Sequence, residues 1–298
     1  MKRAVVFAHY DKDSIIDDYV IYYLKALKNC IEKVIFVSCC NLSQTEKDKL
    51  EQIADYIIAE PHKEYDFGSY KRGFEVIKKE GLSNYEEIIF ANDSCFGPLY
   101  PLETVLETME EKNCDFWGIT KNYFGFSKRI PHIQSFFIAF RKNVFMDGEF
   151  LNFIKNIKAE TCKNDVIKKY EIGLSQMLYK NGYKDAAYIN AYKNISNPTI
   201  IKWEQLILKY NMPLLKCNLI RMHYTDYTTV DNWQEVIKTT PYPVELIEKN
   251  IRRTKDPNGK ELNAPKFIKN FLFNYIMNSP NIIRYPVMKI AKIFFSKA

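Results

Sequence analysis

YDFGSYKRGFEVIKKEGLSNYEEIIFANDSCFGPLYP (residues 65–101) is the stretch on which the fold turns. Residues 70–80 carry a helical pattern, and Gly81 supplies a helix stop. Residues 86–91 form a short apolar run of strand type, closed by Asn92-Asp93-Ser94. The same alternation extends both ways. Upstream, residues 3–8, 33–38 and 55–59 read as strands. Between them, residues 17–29 place Tyr19, Tyr22, Tyr23, Ala26 and Leu27 on one helical face. Residues 43–54 read as a helix capped by Ser43, with Glu46 three positions on. Downstream, residues 102–112, 150–157 and 164–181 read as helices, and 115–120 and 133–140 as strands. Strands alternating with helices predict an α/β fold with a mostly parallel sheet flanked by helices.

After about residue 227 the pattern changes. Pro241 and Pro243 mark an extended turn, and residues 252–265 are polar around Pro257-Asn258-Gly259. Residues 266–297 interleave Phe, Ile, Tyr and Met with Lys and Arg. The chain thus divides into an α/β domain over 1–227 and a C-terminal basic, aromatic-rich helical segment over 228–298.

Composition narrows the class. At 298 residues with 47% hydrophobic and 15% aromatic content, the chain can bury a sizeable core, and disorder is excluded. The net charge of +7 is concentrated from Lys249 onward, where Asp256 and Glu261 are the only acids. That charge sits in an apolar-rich tail without an RNA-binding signature, so nucleic acid is not an expected partner. The seven cysteines form no CxxC pair, which argues against a zinc ribbon or a thioredoxin motif and fits a reducing cytosol. The apolar stretch at residues 4–8 is too short for a signal peptide, and no run approaches the ~20 residues of a membrane span. A cytoplasmic location is expected.

In an open α/β sheet the ligand lies beyond the carboxyl ends of the strands. His9, Tyr10 and Asp11 follow the first strand, and Asn92, Asp93 and Ser94 end the fourth. Asp66, Gly68, Lys71 and Arg72 fall where the third strand gives way to a helix. A helix start with a Gly and a Lys-Arg pair suits phosphate binding, although no GxxxxGK[ST] or GxGxxG is present. Asp11 equally suits a plain turn, and Asp66 a plain N-cap. His132 and Gln134 alternate along one strand face, open to acceptor hydroxyls or a diphosphate, with Ser135 on the other face.

The strings FAHYD (7–11), YDFGSYKRG (65–73), NDSCFGPLYP (92–101), DFWGIT (115–120), HIQSFFIAF (132–140) and YEIGLSQMLYKNGY (170–183) occur in that order. Together, over about residues 1–190, they resemble the rhamnan synthesis protein F family of polysaccharide glycosyltransferases. One departure is visible: His62-Lys63-Glu64 stands where the family usually has Asn-x-Gly. The resemblance implies a GT-A-like fold and an inverting transfer of a sugar, typically L-rhamnose from dTDP-L-rhamnose. The acceptor would be a saccharide, free or lipid-linked, in cell-wall or capsule synthesis. It also gives Asn92-Asp93-Ser94 the place of the metal-binding DxD element. Asp93, with the late His223, would then hold Mg²⁺ or Mn²⁺ on the donor diphosphate. Glu171 occupies the late acidic position expected of the general base, and Asp115 is the second candidate. Their plainer readings are a first-turn helix Glu and a bracing Asp at a strand start. The tail would either pack as helices on the domain or anchor it peripherally to the inner face of the membrane. A contrasting reading is a non-catalytic nucleotide-sugar or carbohydrate-binding subunit; a transferase using another nucleotide sugar is a third.

Overall fold

The structure is a computed structural model and describes residues 1–125, 128–221 and 228–254. The amino half runs β1 (Arg3–His9), α1 (Asp18–Cys30), β2 (Lys33–Ser38), α2 (Gln44–Asp48), β3 (Tyr56–Ala59), α3 (Tyr65–Glu80), β4 (Glu87–Asn92), β5 (Cys95–Phe96) and α4 (Leu102–Glu110). Then follow β6 (Phe116–Gly125), β7 (Lys128–Ile133), β8 (Phe137–Arg141), α5 (Lys142–Phe145), α6 (Gly148–Lys155) and α7 (Lys163–Val166). A π-helical segment, Ile167–Ile172, leads into α8 (Gly173–Lys180) and β9 (Asp185–Ile189). The remainder comprises α9 (Pro198–Ile201), α10 (Trp203–Tyr210), β10 (Leu215–Lys216), α11 (Cys217–Arg221), α12 (Trp233–Lys238) and α13 (Val244–Thr254).

The main sheet has the order β3-β2-β1-β4-β8-β6-β7, with β9 also paired to β6. Strands β3, β2, β1 and β4 are parallel, as are β6 and β9. Strand β8 runs against both its neighbours, β4 and β6. The expected mixed α/β fold with a mostly parallel sheet is therefore the observed one. All seven residues of β1 are buried because helices cover both faces. Val5 and Phe7 join α1 in one core cluster, whereas Ala4, Val6 and Ala8 join α3 in the other. Gly73 is required by this packing: a Cβ there would stand 2.2 Å from Cγ1 of Val6.

Three expected elements differ. Residues 133–140 are not one strand: β7 ends at Ile133, and β8 starts at Phe137 on a different partner. His132 and Gln134 therefore do not share a strand face. The helix expected over 164–181 is continuous in direction but widens into the π turn at Ile167–Ile172. The helix expected over 43–54 covers Gln44–Asp48 only, although Ser43 caps it by accepting from Glu46 N–H as its pattern predicted.

Beyond residue 227, Val230, Trp233, Val236, Ile237, Tyr242 and Ile247 bury into the same cluster as Tyr23 and Leu24 of α1. The basic stretch 266–297 and His223 lie outside the described residues. Among the described residues no helix is long and apolar enough to cross a membrane. All seven cysteines are free.

Candidate functional site

Parallel register brings polar strand ends level. His9 lies opposite Ser38 across β1–β2, and Ala8 opposite Asn92 across β1–β4. At this edge Asp93 Oδ2 accepts the Tyr10 backbone N–H at 2.8 Å. His9 Nε2 is 4.0 Å from the same oxygen, while His9 Nδ1 bonds Ser38 Oγ at 2.9 Å. Burial depresses His9 to about 4, so the ring is neutral at pH 7. Burial also holds the Asp93 carboxyl well above the usual range; the Tyr10 N–H opposes this, and the nearby Asp66 charge adds to it. Among the described residues no cation is in contact with the Asp93 carboxylate, and Arg221 acts on it only at longer range. The Asp93 backbone carbonyl is fixed by Tyr19 Oη–H at 2.9 Å.

Asn92 joins Asp93 to a second acid. Its Nδ2 donates to Asp66 Oδ2 at 2.9 Å, and its Oδ1 accepts Ser94 N–H at 3.1 Å and Ser94 Oγ–H at 2.6 Å. Asp66 is raised by burial, opposed by Lys163 and Lys216 and reinforced by Glu171. Because α3 begins at Tyr65, Asp66 sits in its first turn and is not an N-cap.

Glu171 lies on the π turn. Its Oε2 accepts Ser135 N–H at 3.0 Å and also the Ser135 hydroxyl, and its Oε1 is 3.7 Å from His132 Nε2. His132 Nδ1–H donates to the Ile130 carbonyl at 2.8 Å, which fixes the ring. Tyr70 Oη–H holds the Ser135 carbonyl at 3.0 Å, and the Phe136 carbonyl accepts Asn92 N–H at 3.3 Å. The turn between β7 and β8 therefore ties Glu171 to the Asp66–Asn92–Asp93 row. A π turn at such a place is a common mark of a functional position.

Not every sequence candidate reaches this cleft. Gly68 is a packing residue: a Cβ there would meet Glu64 Cβ at 2.5 Å and the His62 ring at 3.0 Å. Lys71 Nζ donates to the carbonyls of Lys155 and Ile157 at 2.7 and 2.8 Å. Arg72 engages Glu60 at 2.9 Å and Glu64 at 3.4 Å, in a side groove beside edge strand β3. Both basic residues point away from the acidic row because the earlier helix start turns them toward that flank. Asp115 is at the other end of the sheet. Its carboxylate accepts Asn143 Nδ2–H at 2.6 Å and Lys184 N–H at 2.7 Å, a bracing arrangement. Gln134 is buried beneath the cleft, accepting Thr120 Oγ1–H at 2.7 Å. Asp11 forms the rim: Arg253 of α13 binds it together with Asp13 and Asp17. Arg253 pulls Asp11 below its ordinary value against the effect of burial. Tyr10 is 62% exposed at the mouth.

The residues that sequence reading passed over are Ser135, Tyr19, Lys216 and Arg253. Each acts through a partner at least 36 positions away, so local pattern carries no signal for it. For a metal, the described residues contain no group of three or more His, Cys, Asp or Glu side chains in ligating reach. Asp93 offers a single half-buried carboxylate, and this suits a cation completed by phosphate oxygens and water.

The sheet is mostly parallel, with β7 and β8 reversed, and carries an acidic cleft at its carboxyl end, which defines a mixed α/β protein. The chain matches the rhamnan synthesis protein F family over residues 34–293 and belongs to that family. It is 26% identical over 168 residues to the uncharacterized protein y4gN of Sinorhizobium fredii. That match covers 54% of this chain and 44% of the relative, so the chain spans less than half the relative's length. Among solved structures it is similar to core-mannan synthase A of Aspergillus fumigatus in its Mn/GDP form, at 9% identity and a TM-score of 0.37, covering 60% of this chain and 69% of that one. It is also similar to a cytidylyltransferase of Leptospira borgpetersenii, at 12% identity and a TM-score of 0.38, covering 80% and 97%.

Proposed function

We propose that this chain is a nucleotide-sugar glycosyltransferase that transfers its sugar with inversion to a saccharide acceptor during surface-polysaccharide synthesis. The observation that carries this is the gathering of Asp66, Asp93 and Glu171 at one end of the sheet, in a member of the rhamnan synthesis protein F family. Asp93 faces the strand ends where a donor diphosphate binds in open α/β sheets. Glu171 is held by Ser135 and stands beside His132, and it takes the proton from the acceptor hydroxyl as that oxygen attacks the anomeric carbon. The nucleoside diphosphate leaves from the opposite side. Mg²⁺ or Mn²⁺ held by Asp93 would neutralise charge on the leaving diphosphate when bound. The rhamnan in the family's name supports a rhamnose donor, and we take dTDP-L-rhamnose as the donor and a lipid-linked glycan as the acceptor. The basic residues between 266 and 297 fit a peripheral contact with anionic lipid at the inner membrane face.

The test is a thermal-shift and hydrolysis screen over nucleotide sugars, dTDP-L-rhamnose included, with and without EDTA. A donor at 100 times its Kd stabilises the fold by about 2.7 kcal/mol. Asp93→Ala should retain the fold and lose hydrolysis. A screen in which no nucleotide sugar shifts the melting temperature or is hydrolysed would overturn the reading. Full activity in excess EDTA would remove the metal from it.

A further inference from the structure

We propose that Lys216 is the residue that contacts the diphosphate of the donor, an inference that rests on the function proposed above. Strand β10 is far from the acidic row in sequence but adjacent in space. It pairs antiparallel with β5, placing Lys216 directly opposite Cys95, two residues after Asp93. Cys217 N–H donates to the Ser94 carbonyl at 2.9 Å and pins this strand beside Asn92-Asp93-Ser94. The Lys216 ammonium lies 3.9 Å above the Phe136 ring, and Phe136 itself bonds Asn92 through its carbonyl. The side chain is half-buried, and its charge reaches Asp66 and Cys95.

A protein cation here would complement the divalent cation proposed at Asp93. Asp66, Asp93 and Glu171 give the cleft an acidic floor, and His9 is neutral. A diphosphate entering beside these acids is repelled unless a positive group meets it. The other basic candidates around the cleft are already engaged. Lys71 holds two carbonyls, and Arg72 holds Glu60 and Glu64. Arg221 holds Asn250 at 2.8 Å and Tyr19 at 3.3 Å, and Arg253 holds Asp11, Asp13 and Asp17. Lys163, whose charge also reaches Asp66, is exposed at the start of α7, whereas Lys216 is half-buried on the strand pinned to Ser94. Among the described residues the Lys216 ammonium makes no hydrogen bond or ion pair, and rests on an aromatic face alone. A cation–π contact holds an ammonium at roughly 0.5–2 kcal/mol while leaving its N–H donors free for an anion.

The experiment compares wild type, Lys216→Met and Lys216→Arg for binding of dTDP, UDP, GDP and the corresponding nucleosides, with melting temperature as a folding control. Methionine keeps an apolar stem against Phe136 and removes the charge. Lys216→Met should weaken the preferred nucleoside diphosphate about 10–100-fold, as expected for losing a charged hydrogen bond, and leave the nucleoside within about twofold. Lys216→Arg should recover most of that loss, and the salt dependence of binding should flatten in the methionine variant alone. Equal nucleoside-diphosphate binding by wild type and Lys216→Met overturns the assignment of Lys216 while the proposed function stands. Equal losses for nucleoside and nucleoside diphosphate also overturn it, because they mark a structural role. Wild type that binds none of the three nucleoside diphosphates overturns the proposed function and this inference together.

Discussion

At the amino end of the sheet, Glu87 is fully buried, and each of its carboxylate oxygens has a charged partner. Arg3 Nε reaches Oε1 at 2.9 Å, Arg141 Nη1 reaches Oε2 at 2.7 Å, and Trp117 Nε1–H adds a third bond at 2.7 Å. At the carboxyl end, Asp93 has the Tyr10 N–H and a neutral histidine 4.0 Å away. Both ends bury carboxylates on the same strand, β4, or just past it. Among the described residues, one end pairs its carboxylate with cations in contact and the other has none in contact, with Arg221 acting at longer range. A buried charge with partners braces, whereas one held at a cleft without them is a candidate for binding and chemistry. The same contrast separates the two acids read from sequence as possible bases. Asp115 has both oxygens occupied at the amino end, and Glu171 stands in the cleft.

Substitutions at four positions test the contrast between the two ends. The largest effect is expected at Glu171. Glu171→Gln should lower the transfer rate by ~10²–10⁴-fold with donor binding intact, measured by steady-state kinetics and calorimetry. Turnover near wild type would return the carboxyl end to a structural role. Next is Glu87→Ala, which leaves Arg141 without a carboxylate and Arg3 with Glu110 alone, and should cost about 3–5 kcal/mol in urea unfolding. A change below 1 kcal/mol would show that the amino-end network is not the brace described here.

The third is Asp93→Asn, which should abolish hydrolysis yet raise stability by about 1–2 kcal/mol at neutral pH. The sign follows from linkage. The folded pKa of Asp93 lies above its unfolded value, so the native state holds the extra proton. Wild-type stability should therefore fall as pH rises from about 4 through that raised value, and the Asn variant should lack this component. A destabilised Asn variant would show that the carboxylate is satisfied in the fold after all. The smallest effect is expected for Asp115→Asn, about 1 kcal/mol of stability with hydrolysis within twofold of wild type. A large loss of turnover at unchanged stability would move Asp115 into the chemistry.

How much of this was legible varies by element. The residues of β2 and the start of β1 were read as they stand, because strands covered on both faces are continuous apolar runs. Gly81 and the Ser43 cap were read from turn and cap chemistry, which is local. The break between β7 and β8 was not legible, since HIQSFFIAF has the apolar content of one strand and only pairing with β6 or β4 divides it. Lys71 and Arg72 were read toward the cleft because the helix was started at residue 70. The observed start at Tyr65 is set by the His62–Glu64 segment folding over Gly68, a contact that no periodicity reveals.

The α/β class and the placing of Asp66, Asn92 and Asp93 at element ends follow from local pattern, because side-chain period is a property of neighbouring residues. Which charges meet is set by the packing of distant segments. Local pattern ranks Glu171 above Asp115 but does not show which partners each meets, and Lys216 has no local mark at all. Charge compensation depends on distances between segments separated by tens of residues or more, and those are set by packing alone.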